Sequence, residues 1–244
     1  MLFRLFLLFC LCSVTAFQAK AATAIPQNLS ASDRTRVLQI IGYGSGAKIL
    51  DDPYPLGGYS GVEIGLAVEI IPTEELASLG NTTNSHGNIS YETLTFSKGL
   101  FYNVDVMVYF SPFVSGDPVS NYGGTLRWGF YEASFFPLTL TALVYAGGMN
   151  YGNELNVNTM GADLIATLNI SHLALYVGGG QLQAQGTFIG GPDGVTDTGD
   201  TLKTNIRSTH TVAGLSFSLG QAFAAVELNH CTDANYSGKL GFRF

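Results

Sequence analysis

Three side chains in the C-terminal third are of the types that nucleophilic hydrolysis uses: Ser208, His210 and Glu227. Ser208 and His210 are two residues apart, so in an extended strand they project from the same side, and Glu227 takes that side on the following strand. A hydroxyl beside an imidazole that a carboxylate orients could activate an oxygen nucleophile. The simpler reading is a group of hydrogen-bonding side chains on one sheet face, so no catalytic residue is assigned. The four histidines, His86, His172, His210 and His230, lack the spacing of zinc ligands, and no metal or cofactor is expected. Gly42-Tyr43-Gly44-Ser45-Gly46 is rich in glycine like a phosphate loop. It follows a helical stretch, however, whereas a dinucleotide fingerprint lies between a strand and the helix that it opens.

The more extensive chemistry is ionic. Glu63, Glu69, Asp105, Arg127, Asp163, His210, Glu227, Lys239 and Arg243 all occupy one phase of alternating stretches whose other phase is apolar. Asp105 and Arg127 fall at matching heights on neighbouring strands, and Glu63 faces Lys239 and Arg243 where the first and last strands would meet. Charges enclosed by a sheet need partners, which makes these residues structural ion pairs filling a narrow lumen. The competing reading builds an ion-selective constriction from the same residues.

The elements that must position these groups are strands. From Tyr59 onward the side-chain period is two almost throughout, and ten strands are predicted at 59–71, 90–98, 101–111, 120–131, 136–147, 157–169, 172–182, 206–218, 221–230 and 235–244. Totals of eight or twelve remain open alternatives. Long connections rich in Gly, Asn, Asp and Thr (72–89, 112–119, 148–156, 183–205) alternate with tight ones, except for the short link 231–234. Gly178-Gly179-Gly180 marks a bend or a place where another backbone approaches, and the 22–58 segment is one candidate for that backbone.

The first 21 residues read as a cleaved signal peptide, with Arg4, an apolar run over 5–14 and an Ala19-Lys20-Ala21 cleavage site. Its removal takes the formal charge from −7 to −9 and leaves Cys231 as the sole cysteine. No basic footprint for nucleic acid remains, and no intramolecular disulfide can form. Residues 22–58 differ in composition. Pro26 to Ile41 reads as an amphipathic helix capped by Ser30 or Ser32, followed by a linker over 51–58; this segment either plugs a lumen or lies outside it on the periplasmic side. Residues 59–244 form the strand domain.

The chain closes on Asn235-Tyr-Ser-Gly-Lys-Leu-Gly-Phe-Arg-Phe244, apolar on one face and cationic on the other. This stretch resembles the C-terminal strand of Gram-negative outer-membrane β-barrel proteins. The resemblance implies a ten-stranded antiparallel up-and-down transmembrane barrel in the bacterial outer membrane, in contact with its lipid and recognised by the barrel assembly machinery through the final strand. The low charge, the 30 glycines and the lack of any further long apolar run agree with it. Tyr102 and Phe110, Tyr122 and Phe130, and Tyr236 and Phe244 are pairs eight residues apart, a climb of roughly 20 Å on a tilted strand. With Trp128, Phe136 and Phe242 they outline two aromatic girdles. The role expected is structural or one of surface interaction, with long outer loops as the contact surface for an unspecified ligand. The alternatives are a narrow pore or plugged transporter for small solutes and, following a minority of such barrels, a lipid-modifying hydrolase.

Overall fold

The computed structural model describes residues 24–46, 48–81, 87–112, 119–192 and 194–244. The expected signal peptide and His86 lie outside the described residues. Ten strands follow the N-terminal segment: β1 (Val62–Pro72), β2 (Asn88–Gly99), β3 (Val104–Phe110), β4 (Val119–Glu132), β5 (Leu138–Tyr151), β6 (Leu155–Ile170), β7 (Leu173–Phe188), β8 (Leu202–Leu219), β9 (Ala222–His230) and β10 (Ala234–Arg243). Each pairs antiparallel with its sequence neighbours, and β1 pairs with β10 from Glu63 opposite Arg243 to Ile70 opposite Tyr236. The sheet is a closed barrel with no free lateral seam. Closure also uses the final residue, since Phe244 and Val62 exchange backbone hydrogen bonds of 2.8 and 3.0 Å.

The barrel is inverted relative to a soluble one. Outward positions such as Leu94, Leu126, Val144, Leu164, Val177, Leu215 and Val226 are exposed, while Glu63, Asp105, Arg127 and Lys239 are at most 2 % exposed on the inside. An apolar outer surface of this extent is unstable in water and matched by lipid, and closure leaves no strand edge unpaired in the bilayer. An antiparallel barrel with an even strand number, an apolar outside and a polar inside is of the bacterial outer-membrane type.

Several boundaries depart from the sequence reading for identifiable reasons. The link expected over 148–156 is a turn of three residues, Gly152 to Glu154, with Gly152 and Asn153 at φ 57° and 59°. Gly147 and Gly148 belong to β5: a Cβ on the first would overlap the Tyr109 hydroxyl and one on the second would meet the Tyr122 ring at 2.9 Å. These glycines make room for tyrosines, and the strand expected to end at Gly147 continues through Gly148 to Tyr151. Similarly, β7 and β8 run past their expected ends, which shortens the connection between them to 189–201. Tyr102 lies in the β2–β3 turn at φ 51° rather than on a strand.

The helix α1 spans Ala31–Val37 and continues as one π turn over Leu38–Gly42. It begins at Ala31, not Pro26, because Ser30 and Asp33 form a reciprocal capping box. Ser30 Oγ accepts from the Asp33 amide at 3.3 Å, and the Asp33 carboxylate accepts from the Ser30 amide at 3.1 Å.

Candidate functional site

The lumen holds the N-terminal segment along its length. Where the long connections gather, Leu29 N donates to Val195 O at 2.8 Å, and Arg34 bonds both Leu29 O and the Asp197 carboxylate. Arg36 forms a two-pronged pair with Asp233 at 2.9 Å and also meets Glu75. The helix rests on β7 where the wall carries small residues. Leu38 packs over Gly186, and Gly42 lies close against Ala184. The chain then descends without regular secondary structure through Lys48, Ile49, Leu50 and Asp51. It leaves at the opposite end, where the Tyr54 hydroxyl joins Glu132 at 3.2 Å and Asn103 at 3.0 Å. Burial raises the Tyr54 hydroxyl pKa, and Glu132 beside it adds to the rise.

Two polar clusters bind this descending stretch. The lower one joins Arg127 Nε to Asp105 at 2.7 Å and Arg127 Nη1 to Asp51 at 2.5 Å, and Leu56 N donates to the second Asp105 oxygen at 3.2 Å. Across the seam, Lys239 and Arg243 both reach Glu63, at 2.7 and 2.8 Å, and Arg243 lies 3.9 Å from Asp51. Lys239 and Arg243 also sit 5.3 and 5.6 Å from the Phe223 ring centre, within cation–π range. The wall alone brings three cations and two carboxylates here; Asp51 balances them.

The upper cluster is organised by Glu227. Its carboxylate accepts from Leu50 N at 2.9 Å, Ile49 N at 3.1 Å, Tyr176 Oη at 2.7 Å and Asn229 Nδ2 at 2.7 Å. Those bonds hold Leu50 at φ 50°, a left-handed conformation that costs a non-glycine residue roughly 1–2 kcal/mol. Asn229 Oδ1 is 2.8 Å from His210 Nε2, and His210 Nδ1 is 2.8 Å from Asp163. Glu69 stands apart from both clusters and accepts from Tyr91 and Thr93.

The structure therefore brings together Glu63, Lys239 and Arg243, and separately Asp105 and Arg127, with Asp51 between the two sets. His210, Asp163 and Glu227 share the second cluster. Ser208 does not join the expected triad. Both His210 nitrogens are committed elsewhere, and the Ser208 hydroxyl donates to Thr209 O at 3.2 Å. Gly178 and Gly180 are crowded by the carbonyls of Leu164 and Ala162 on β6, and Gly179 by that of His210 on β8, so the backbone approaching this triplet belongs to the wall and not to the N-terminal segment. Sequence reasoning missed Asp51, which it placed in the 51–58 linker, and Lys48, which it assigned to no element. The only signal for Asp51 lay at the tight-turn end, where Arg127, Lys239 and Arg243 face just two wall carboxylates, Asp105 and Glu63.

Outside, Phe110, Tyr122 and Tyr236 are exposed towards the long-loop end, and Tyr102, Trp128, Phe130, Phe136 and Phe244 towards the tight-turn end, with Phe242 half-buried among the latter. Trp128 and Phe130 have ring centres 5.6 Å apart, and Phe242 and Phe244 stack at 6.5 Å. Among the described residues, gaps of about 10 Å³ lie beside Lys48 and Ile49, each with room for about one water.

Neither a protein-family model nor a curated protein matches the chain. Among solved structures, it is similar to the N-terminal β-barrel domain of Pseudomonas aeruginosa OprF at 15 % identity and TM-score 0.37, covering 77 % of this chain and 99 % of that one. The attachment invasion locus protein Ail of Yersinia pestis gives 16 % identity and TM-score 0.31, with 75 % and 97 % covered. A loop-deletion form of OmpT, an outer membrane protein of Vibrio cholerae, gives 11 % and 0.30, with 75 % and 62 % covered. None of these likenesses bears on what this chain does.

Proposed function

We propose that this protein is a closed, non-conducting outer-membrane barrel whose work is done at its long-loop end, as a structural or surface-interaction component. The observation that carries this reading is the Asp105–Arg127–Asp51 bridge, which ties the lumen segment to the wall with each side chain at most 1 % exposed. A ten-stranded barrel has a narrow interior, and a backbone with its side chains running through it leaves no aqueous path. The tight turns face the periplasm and the longer connections face outward, with the aromatic rows at the two lipid interfaces. Phe244 closes the seam and is the residue through which the assembly machinery would recognise the chain.

Planar-bilayer recording tests the reading. The intact protein gives no single-channel steps, whereas a variant lacking residues 24–56 does. Regular steps from the intact protein would instead establish the small-solute pore. The pore reading has one observation in its favour: the descending stretch is gripped mainly by polar contacts, which a partner could exchange for its own.

A further inference from the structure

The segment that fills the lumen enters β1 at the tight-turn end, yet its earliest described residues lie at the other end. Burial raises the Glu154 carboxyl pKa and a hydrogen bond from the Ile25 amide opposes the rise, so residue 25 is placed at the β5–β6 turn. Gln27 pairs with Asn81 in the β1–β2 connection, and Leu29 with Thr196 in the β7–β8 connection. Arg34 holds Asp197, and Arg36 holds Glu75 and Asp233. Among the described residues, four long-end connections thus touch residues 25–36. Below them, the helical turns through Gly44 and the non-helical residues that follow bring the chain to Tyr54, which bonds Glu132 and Asn103 at the tight-turn end, so the segment crosses the whole apolar band.

We infer that this barrel carries its own N-terminal segment across the outer membrane and holds Ala24 at the cell surface. The chain therefore crosses the membrane once through the lumen before its ten strands cross in the wall. Residues 24–36 are part of the outer surface, as the strut on which the surrounding connections are mounted. Ala24 and Gln27 are exposed there while Ile25, Leu29 and Arg34 are buried, so the segment is built into the surface and does not merely lie across it. The seam is consistent with such passage. Glu63 on β1 and Lys239 and Arg243 on β10 meet beside Asp51, so pairing β1 with β10 encloses the segment and completes its ionic surroundings in one step.

The inference rests on the proposed orientation, with long connections outside, and the test separates the two. In a Cys231→Ser background, Ala24→Cys, Asp200→Cys and Ser134→Cys are made singly and treated with a membrane-impermeant maleimide on intact and on permeabilised cells. Heat-modifiable migration shows that each variant has folded. The expected result is labelling of Ala24→Cys and Asp200→Cys on intact cells, and of Ser134→Cys only after permeabilisation. If Asp200→Cys labels on intact cells and Ala24→Cys does not, surface display is overturned while the orientation stands. If Ser134→Cys labels on intact cells and Asp200→Cys does not, the orientation fails and the inference with it.

Discussion

Asp51 and Arg127 meet at 2.5 Å in the barrel interior, with side chains 0 % and 1 % exposed. One belongs to the segment inside the lumen and the other to the wall, so this contact decides whether the barrel is filled. Arg127→Ala leaves Asp51 and Asp105 buried without their cation, which costs about 3–5 kcal/mol. Asp51→Asn costs less, about 1–3 kcal/mol, because Asp105 still holds the guanidinium. Urea unfolding in micelles, followed by the fluorescence of the single tryptophan, Trp128, checks the ordering. Equal losses would mean that Asp51 carries as much of the grip as both carboxylates together.

Glu227 is the second anchor. Glu227→Ala removes an acceptor from the amides of Ile49 and Leu50, and the expected loss is about 3 kcal/mol, the range of hydrogen bonds to a charged group. Loosening should be local. Trypsin is expected to cut after the buried Lys48 in the variant and not in the parent, while both still migrate as folded barrels.

Gly180 admits no side chain. A Cβ there would overlap the Ala162 carbonyl oxygen and lie 2.6 Å from Asp163 Oδ1, and the obstacle is the neighbouring strand's backbone rather than a movable side chain. Gly180→Ala should abolish heat-modifiable migration. Gly191→Ala, a loop glycine with open space around its Cβ position but φ 113°, should cost only the backbone strain and keep the barrel folded.

Burial pushes the Cys231 thiol up to about 12. Maleimide and disulfide reagents, which require thiolate, should therefore react much more slowly with the folded barrel than with the denatured chain at pH 8. The linkage has a definite sign. Between the unfolded value near 9 and the folded value, the unfolded chain has released a proton that the folded one retains, so stability falls as pH rises through that window. Cys231→Ser should flatten the alkaline part of a stability-versus-pH curve.

Much of the wall was legible because a strand exposes its environment every second residue. The period from Tyr59 onward placed all ten strands, and the inverted phase placed Glu63, Asp105, Arg127, Lys239 and Arg243 inside before any coordinates were needed. The pairing of Asp105 with Arg127 also followed from their matching heights on neighbouring strands, although a long connection joins those strands. Strand ends were harder. Gly148 lies just past the strand end expected at 147, and only the Tyr122 ring packed over it explains its place in β5.

The sequence by itself determined the ten antiparallel strands, their inverted polarity and an amphipathic helix ahead of them, because these follow from local period; closure was implied by the resemblance of the final strand and is made by the long-range pairing of β1 with β10. The path of residues 24–56 was decided by the tertiary structure alone. Asp51 lies 76 positions from Arg127, and Ile49 178 from Glu227. No local pattern encodes such contacts. They exist because charges enclosed in a lumen away from water must find partners: the wall's lower cluster is one carboxylate short, which Asp51 supplies, and Glu227 accepts the amides of Ile49 and Leu50.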